Sequence, residues 1–290
     1  MELRRYRDAD LDALVALHNA ARAHEHEFIP YAPDRLRREL DGAASIWVAA
    51  QAERPVGAAF YCPMWYGNEI VPLTASDADA ERVEAELLDR VEADIAGDEA
   101  VIAVPSVDAE QIAFLESYGY RPEGGMVQLV ADLHAEPAIP ELPSDYRLRS
   151  LEPLEHWDFI AMVNAAYDAE RLSADAFARW RAIPGWREDW VQVVEHRGRL
   201  VAGVVARPDG EFNAHYRAQR GYLGPAAVLP EHASRGLGRA LTAASLAFVR
   251  AQGMDSASLF TTQGNAAVHR LTEHLGFREA HRWHFMKKGV

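Results

Sequence analysis

The pattern of hydrophobic and polar residues predicts strands alternating with amphipathic helices. The segment MELRRYRDADLDALVALHNAARA predicts a short strand and a helix, and SIWVAAQAERPVGAAFY predicts two strands joined by a polar turn. A later helix presents one apolar face, because its hydrophobic residues follow one another at spacings of four, three and four: Leu237, Leu241, Ala244 and Phe248. Such alternation is typical of an α/β protein.

The second half of the chain repeats the elements of the first. YRLRSLEPLEHWDFIAMVNAAYDA matches the first strand and helix, and DWVQVVEHRGRLVAGVVAR matches the strand pair, with Gly57 opposite Gly203. DAEQIAFLESYGYRPEG matches NAAVHRLTEHLGFREAH, each a helix that ends at a glycine, Gly119 or Gly276. The proline-rich stretch EPAIPELPSDY lies between the two halves. We therefore expect two tandem domains, 1–135 and 145–290, joined by a linker at 136–144.

Composition narrows the class of protein. The chain has 290 residues, of which 49% are hydrophobic and 26% charged, as in globular proteins. Its single cysteine, Cys62, excludes an internal disulfide and a thiolate zinc site. The sequence contains no apolar run of the roughly 20 residues that a membrane helix needs, nor the apolar core of a secretion signal. We expect a cytoplasmic protein that does not interact with membranes.

The net charge of −14 is concentrated in the first half. Residues 1–135 hold 26 acids and 11 arginines, whereas residues 136–290 hold 18 acids and 19 bases. Because a polyanion is repelled by the first half and finds no basic stripe in the second, we expect no nucleic-acid partner. A phosphate-bearing cofactor is expected to bind the second half.

The stretch RGYLGPAAVLPEHASRGLGRALTAASLAFVRAQG predicts a strand, a tight turn and a helix capped by Gly253. Small residues before a helix N-terminus leave backbone amides exposed to an anion, and Arg235 and Arg239 add positive charge. The dinucleotide fingerprint requires a third glycine where Leu241 stands, and the nucleotide-triphosphate loop requires a lysine that this loop lacks. The loop therefore predicts a different phosphate ligand.

With these features the sequence resembles the GNAT superfamily of acyl-CoA-dependent N-acyltransferases. In that family a strand ending in Val-x-Pro runs into Arg/Gln-x-x-Gly-x-Gly/Ala, and a later Asn precedes an apolar helix and Gly-Phe. The matching residues are Val228, Pro230, Gly236, Gly238, Asn265, Leu271, Gly276 and Phe277. The resemblance covers 145–290 and, more faintly, 1–133, and the tandem arrangement resembles two-domain members such as mycothiol synthase.

The resemblance implies two tandem GNAT-like α/β domains with mixed, mostly antiparallel sheets flanked by helices. It also implies transfer of an acetyl group from acetyl-CoA, bound in the second domain, to an amine by direct attack. The acceptor would be a small-molecule amine or a peptide. Two alternatives stay open, a non-catalytic acyl-CoA-binding sensor or scaffold and a protein N-acetyltransferase recruited through the acidic first half. The acceptor and the oligomeric state do not follow from the sequence.

The resemblance also implies which residues bind the cofactor. Strand backbone would pair with the pantetheine arm, loop amides would hold the pyrophosphate, and an amide near the strand end would polarise the thioester carbonyl. The expected cofactor-binding residues are Ala226, Ala227, Val228, Ser234, Arg235, Gly236, Leu237, Gly238, Arg239 and Asn265.

Three positions depart from the family pattern. Ala233 replaces the leading Arg or Gln of the loop, which removes one side-chain contact. Thr272 stands where many members carry a tyrosine that protonates the departing thiolate, so His269 one turn earlier becomes an alternative donor, or simply packs. Tyr222 stands near the position of a glutamate base, and a phenol with a pKa near 10 is a poor base at neutral pH. Tyr222, His269 and Thr272 are the catalytic candidates, with Glu211 and His215 upstream.

The region after each domain's first helix is the expected acceptor pocket. In the second domain it holds Tyr167, Asp168 and Glu170, whose carboxylates would attract a cationic amine. In the first it reads HEHEF at 24–28, for which no third metal ligand is indicated, so no metal site is expected. The tryptophans of ARWRAIPGWREDW either line a flat acceptor or, as we favour, pack in the core: Trp180, Trp186 and Trp190.

The first domain lacks the phosphate loop. Residues 77–99 contain ten acids and two arginines and no Gly-x-Gly, and Asp77 and Asp79 at the helix start would repel a pyrophosphate. The helix keeps a buried face at a spacing of four residues: Val83, Leu87, Val91 and Ile95. We expect this domain to retain the fold and to have lost the cofactor site.

Overall fold

Strands and helices alternate along the chain, as the hydrophobic pattern predicts. The computed structural model describes residues 1–74, 79–95, 97–183 and 185–290. The strands are β1 Glu2–Arg5, β2 Ser45–Gln51, β3 Arg54–Met64, β4 Gly67–Thr74, β5 Glu99–Pro105, β6 Arg121–Asp132, β7 Tyr146–Ser150, β8 Val191–His196, β9 Arg199–Pro208, β10 Arg220–Val228, β11 Ser256–Thr262 and β12 Arg278–Gly289. The helices are α1 Leu11–Arg22, α2 Pro33–Asp41, α3 Ala80–Ile95, α4 Ala109–Ser117, α5 His156–Tyr167, α6 Ala174–Arg181, α7 Gly210–Tyr216, α8 Leu237–Ala251 and α9 Ala266–Glu273.

The chain divides into two units. The first comprises Met1–Met126 and His281–Val290, and the second comprises Val127–Ala280. These units differ from the sequence-predicted domains 1–135 and 145–290 in two segments. Residues 127–135 belong to the second unit, where the Leu133 amide donates to the Asp255 carbonyl at 2.7 Å, and the last strand belongs to the first. The boundaries of the units therefore fall within β6 and within β12, which no linker signal reveals.

In the first unit the strand order is β1-β2-β3-β4-β5-β12. All described pairs are antiparallel except β4 with β5, which is parallel, and β12 pairs with β5 from Trp283–Pro105 to Gly289–Glu99. Neighbouring residues of one strand face opposite sides, so Ala58 packs in the cluster of α1 and α2 while Ala59 packs in that of α3. The predicted buried face of α3 is confirmed. Asp77, expected at the start of this helix, lies outside the described residues.

In the second unit the order is β7-β8-β9-β10-β11-β6. The pairs β7/β8, β8/β9 and β9/β10 are antiparallel, and β10/β11 is parallel. Helices α5 and α8 both pack on β9 and β10. The prediction of mixed, mostly antiparallel sheets flanked by helices in tandem α/β units is confirmed. In the described part of the chain, no helix combines the length and apolar character needed to cross a bilayer.

The match of Gly57 with Gly203 is wrong by one residue. A Cβ on Gly203 would lie 2.8 Å from the Phe159 ring of α5, whereas a Cβ on Gly57 would lie 2.6 Å from Val83 of α3. The two glycines thus face different helices. The strand registers give the reason. Gly203 pairs with Val193 in the second unit, and the residue in the equivalent place in the first unit is Ala58, which pairs with Val48. A shift of one residue moves a side chain to the other face of a sheet.

Candidate functional site

Strand β10 has an open edge at its C-terminal half. Its parallel pairing with β11 covers only three positions, Arg220–Ser256 to Tyr222–Ser258, although β10 continues to Val228. On its other side the ladder to β9 shifts register between Leu223 and Ala226. From Leu223 onward, the described pairing leaves the β11 side of this strand available for a ligand with its own amide groups.

The loop after β10 exposes backbone amides at the start of α8. Gly236 is the N-cap of this helix with φ 81°, and Ser234 also adopts the left-handed region with φ 60°. The first helical hydrogen bond runs from the Ala240 amide to the Gly236 carbonyl, at 3.0 Å. The amides of the preceding turn therefore have no acceptor within the helix, and an anion is their natural partner.

The two loop glycines have different physical roles. Space around Gly236 is open, since a Cβ there would meet nothing within 4 Å, but its positive φ favours glycine. A Cβ on Gly238 would instead lie 3.2 Å from Leu271 of α9 and 3.8 Å from Val228. Gly238 thus allows the start of α8 to lie close to α9, whereas Val228 at the end of β10 is at an ordinary contact distance. Together the glycines hold the exposed amides beside the open strand edge.

Charged side chains flank this loop. Arg235 and Arg239 are both exposed, and an Arg235 guanidinium nitrogen lies 3.4 Å from the Glu231 carbonyl. Asn265, expected to contact the cofactor, caps α9 by accepting from the Val268 amide at 3.2 Å. The loop is therefore positively charged at its surface, whereas the Asn265 carbonyl oxygen supports the neighbouring helix.

Tyr167 lies against the open strand. Its hydroxyl donates to the carbonyl of Ala226 at 2.8 Å, and burial raises the pKa of this phenol. Asp168, the C-cap of α5 in the left-handed region with φ 50°, follows directly, and both Asp168 and Glu170 are exposed. Of the three expected acceptor residues, Tyr167 thus contacts the strand, and the other two are exposed carboxylates that follow it in the chain.

Tyr222 is the last residue of β10 that pairs with β11. Burial raises the pKa of its phenol, and the nearby Arg207 opposes that shift, its guanidinium carbon lying 5.4 Å from the ring centre. Phe260 of β11 lies 6.4 Å from Tyr222 between ring centres. Phe260 lies two residues after Ser258, the partner of Tyr222, and so faces the same side of the sheet. The sequence does not give the register between β10 and β11, so this neighbour could not be predicted. A raised pKa leaves an even smaller fraction of Tyr222 ionised at neutral pH, so the phenolate is not available as the base.

The two candidates on α9 differ in availability. The Thr272 hydroxyl is buried and donates to the carbonyls of Val268 and His269, at 2.8 and 3.0 Å. Nε2 of His269, which is half-buried, lies 3.2 Å from the carbonyl of Thr262 on β11. A carbonyl only accepts, so this bond requires the proton on Nε2, and Nδ1 takes no part in it.

A cluster before the loop was not anticipated. Nδ1 of His232 lies 2.9 Å from the Tyr146 hydroxyl, and Nε2 of His196 lies 3.0 Å from an Asp145 carboxylate oxygen. Burial and the neighbouring His196 lower the pKa of His232. These residues tie the turn that precedes the loop to the edge strand β7. Only the pairing of β7 with β8 brings them together.

The tryptophans pack in or against the core, and the other residues singled out from the sequence lie on α7 or beside the last strand. Trp190 is buried and Trp180 and Trp186 pack against the core, as favoured. Glu211 and His215 are exposed on α7. The ring of His26 stacks on that of His281 at 3.1 Å. No group of three possible metal ligands occurs among the residues that the structure describes.

The first unit contains a cavity of about 450 Å³. It is lined by α1, the connection to α2, α2 itself, β3 and β4. Pairing of β4 with β5 covers only Asn68–Ala100 and Glu69–Val101, so this sheet opens in the same way. Glu69 thereby occupies the position that Tyr222 has in the second unit.

Comparison with known proteins shows what the second unit is similar to. Residues 150–277 match the model of the acetyltransferase (GNAT) family. Mycothiol acetyltransferase of Thermobispora bispora is 32% identical over 146 residues, 48% of each chain. That of Frankia casuarinae is 31% identical over 163 residues, which cover 52% of this chain and 47% of the relative. The chain thus spans about half the length of the curated relatives it matches.

Solved structures share the fold over nearly the whole chain. A GCN5-related N-acetyltransferase from Sphaerobacter thermophilus has a TM-score of 0.74 at 16% identity, covering 99% of this chain and 95% of the other. A tandem GNAT protein from the clavulanic acid biosynthesis pathway has a TM-score of 0.71 at 17% identity, covering 99% and 98%. At such identities the likeness concerns the fold alone. The match to the acetyltransferase (GNAT) family model spans the open strand β10, the loop at the start of α8 and helix α9.

Proposed function

We propose that this protein is an N-acetyltransferase that binds acetyl-CoA in its second unit and transfers the acetyl group to an amine. The observation that carries the proposal is the exposed turn of amides at the start of α8, placed directly after the open edge of β10. The match of residues 150–277 to the acetyltransferase (GNAT) family supports it independently. Acetyl-CoA would supply the acetyl group as a thioester.

The residues present fit the two polar parts of coenzyme A. The amides of Leu237, Gly238 and Arg239 precede the first helical hydrogen bond and would hold the pyrophosphate, with Arg235 adding charge from the side. The backbone of 226–228 would pair with the amides of the pantetheine arm as an added strand does. Ala233, where the family has a longer polar residue, is exposed, so the backbone supplies this site without it.

The acceptor amine would enter beside Tyr167. The exposed carboxylates of Asp168 and Glu170 favour a cationic amine there, and the amine must lose a proton before it attacks. Because burial raises the pKa of Tyr222, we assign that phenol the orientation of a water molecule, and this water rather than the phenol would accept the proton of the amine. We assign protonation of the departing thiolate to Nδ1 of His269, because Nε2 donates to the Thr262 carbonyl and the Thr272 hydroxyl donates within its own helix.

A small-molecule acceptor is favoured over a protein. The relatives that this chain matches are named mycothiol acetyltransferases. We propose that the first unit does not bind acetyl-CoA, because its helix α3 begins among acidic residues and no Gly-x-Gly precedes it.

The test is release of free thiol from acetyl-CoA in the presence of a panel of small amines and peptides. We expect turnover with at least one small amine, and its loss in Gly236→Asp, which places a carboxylate where the pyrophosphate would bind. Gly236→Asn is the matched neutral control and should retain most activity. Tight binding of acetyl-CoA without turnover of any acceptor would contradict the enzyme and favour a sensor of acyl-CoA.

A further inference from the structure

A histidine ties the turn after β10 to an edge strand of the same unit. His232 ends the short turn Pro230–His232, which leads into the loop 233–239, and its Nδ1 lies 2.9 Å from the Tyr146 hydroxyl. We propose that His232 is a positioning residue, which holds the amides of this loop in the arrangement that binds the pyrophosphate of acetyl-CoA. The inference rests on the function proposed above and adds a residue that acts through the loop.

The stretch 230–236 has few other attachments. Among the residues that the structure describes, the bond of His232 to Tyr146 is the single side-chain hydrogen bond that joins this stretch to another element. Arg235 bonds only to a carbonyl within the turn, at 3.4 Å. Upstream, the Leu229 amide donates to a carbonyl of β9 at 2.9 Å. Beyond that bond, the path of the backbone toward α8 depends on His232.

The conformation of the loop requires an outside contact. Ser234 adopts the left-handed region with φ 60°, which is disfavoured for a residue that has a Cβ. Gly236 follows with φ 81°, and the amides that these two residues orient have no acceptor in the first turn of α8. A loop held in its binding conformation before the ligand arrives binds more tightly, because less conformational freedom is lost.

The anchor on the other side of the bond is rigid. Tyr146 is only 8% exposed and packs in the core cluster of the second unit. Its ring is stacked on that of His196, its partner in the β7/β8 ladder, at 4.6 Å between ring centres. Nε2 of His196 in turn lies 3.0 Å from an Asp145 carboxylate oxygen. The hydroxyl that meets His232 is therefore held in one place.

His232 acts by position rather than by charge. Burial lowers the pKa of its imidazole, and the neighbouring His196, Arg235 and Arg199 lower it further, against the opposing effect of Glu231. The ring is therefore neutral at pH 7 and adds no cation to the loop. Its contribution to binding a pyrophosphate must then come from the hydrogen bond to Tyr146.

Two thioesters separate this role from a general loss of structure. S-acetylpantetheine has the thioester and the pantetheine arm of acetyl-CoA but lacks the pyrophosphate. We expect His232→Ala and Tyr146→Phe each to lower the affinity for acetyl-CoA about three- to tenfold, the value of one hydrogen bond, and to leave the affinity for S-acetylpantetheine unchanged. Tyr146→Phe keeps the ring that stacks on His196. Calorimetric titration with both thioesters would measure the two affinities.

The variants also test whether the two residues act together. The double variant should bind acetyl-CoA no more weakly than the weaker single variant, because each change removes the same bond. His232→Gln, whose amide can still bond to the Tyr146 hydroxyl, should recover part of the affinity. His134→Ala, at an exposed histidine before β7, is the matched control and should change neither affinity.

Three results would overturn the positioning role: an unchanged acetyl-CoA affinity in His232→Ala, an equal loss for both thioesters, or losses that add in the double variant. Failure of the proposed function has a different signature. In that case the wild-type protein would not bind acetyl-CoA, or Gly236→Asp would leave its affinity unchanged, and the positioning role would be overturned with it.

Discussion

The hydroxyl of Tyr167 donates to the carbonyl of Ala226 at 2.8 Å. Tyr167 ends α5 and Ala226 lies in β10 just after the register shift, so this bond fixes the end of a helix to the open strand edge. The sequence predicted Tyr167 as an acceptor-binding residue and Ala226 as a cofactor-binding one. This hydrogen bond therefore joins a residue proposed to bind the acceptor to a strand proposed to bind the cofactor.

Removing this bond should weaken cofactor binding. In Tyr167→Phe the Ala226 carbonyl loses its donor, and we expect acetyl-CoA affinity to fall about two- to tenfold, the value of one hydrogen bond. Calorimetric titration of acetyl-CoA would measure it. Tyr118→Phe, which removes a phenol from α4's C-cap in the first unit, is the control and should leave the affinity unchanged. An unchanged affinity in Tyr167→Phe would show that the bond does not support the strand.

The stability lost on replacing Gly203 or Gly57 by alanine should be recovered by substitutions in different helices, α5 for Gly203 and α3 for Gly57. Gly203→Ala and Gly57→Ala each introduce a Cβ too close to a packed side chain, and we expect each to lower the free energy of unfolding by about 1–3 kcal/mol. Phe159→Leu should rescue only Gly203→Ala, and Val83→Ala only Gly57→Ala. Urea denaturation of the single and double variants would show this. Rescue in the opposite combination would contradict the strand registers.

The C-terminal strand is held to α3 by a partly buried ion pair. Lys288 Nζ lies 2.6 Å from a Glu92 oxygen, and the other Glu92 oxygen accepts from Tyr120 at 2.8 Å. Lys288→Met leaves the Glu92 charge without a cation, and we expect a loss of about 2 kcal/mol of stability. Glu92→Gln in the same chain should recover part of that loss.

The neighbouring lysine provides the matched control. Lys287 pairs with Glu99 at 2.7 Å, but the Glu99 side chain is 40% exposed, against 11% for Glu92. Lys287→Met should therefore cost less than about 1 kcal/mol. Thermal or urea unfolding would compare the two. Equal costs for both lysines would contradict the burial of the Lys288 pair.

His18 should make the stability of the protein depend on pH. Burial lowers its pKa from 6.5 to about 4, so between these values the unfolded chain binds a proton that the folded chain does not. Its contribution is complete above pH 6.5 and is lost as pH falls toward 4. Between pH 7 and pH 5 the loss is about 2 kcal/mol.

The variant His18→Phe keeps a ring against Tyr31 and does not titrate. In this variant the difference in free energy of unfolding between pH 7 and pH 5 should be smaller than in the wild-type protein by the His18 contribution of about 2 kcal/mol. Urea denaturation at both pH values would measure it. A pH dependence identical to that of the wild-type protein would show that His18 is not responsible.

The order of elements, the fold and the phosphate-loop motif followed from the sequence. Apolar spacing located α3 and α8, and the glycines Gly119, Gly253 and Gly276 marked helix ends, all with positive φ. These signals are local, because helix periodicity and a left-handed cap depend on residues a few positions apart.

What the sequence did not reveal depends on pairing between distant segments. No local signal assigns residues 281–290 to the first unit. Nor does a local signal show that Ala58, rather than Gly57, is the structural equivalent of Gly203. The carbonyl partner of Tyr167 and the cavity around Glu39 and Glu69 likewise arise only when strands and helices assemble.

The stoichiometry of acetyl-CoA binding is the most direct test of the proposal that only the second unit binds the cofactor. Calorimetric titration of the whole chain should give one site per chain in the wild-type protein and in Gly236→Asn. In Gly236→Asp the site should be lost, because a Cβ at Gly236 meets no neighbour within 4 Å and the added carboxylate projects into the anion position. Two sites per chain, or an affinity unchanged by Gly236→Asp, would contradict the assignment of the cofactor to the loop of the second unit.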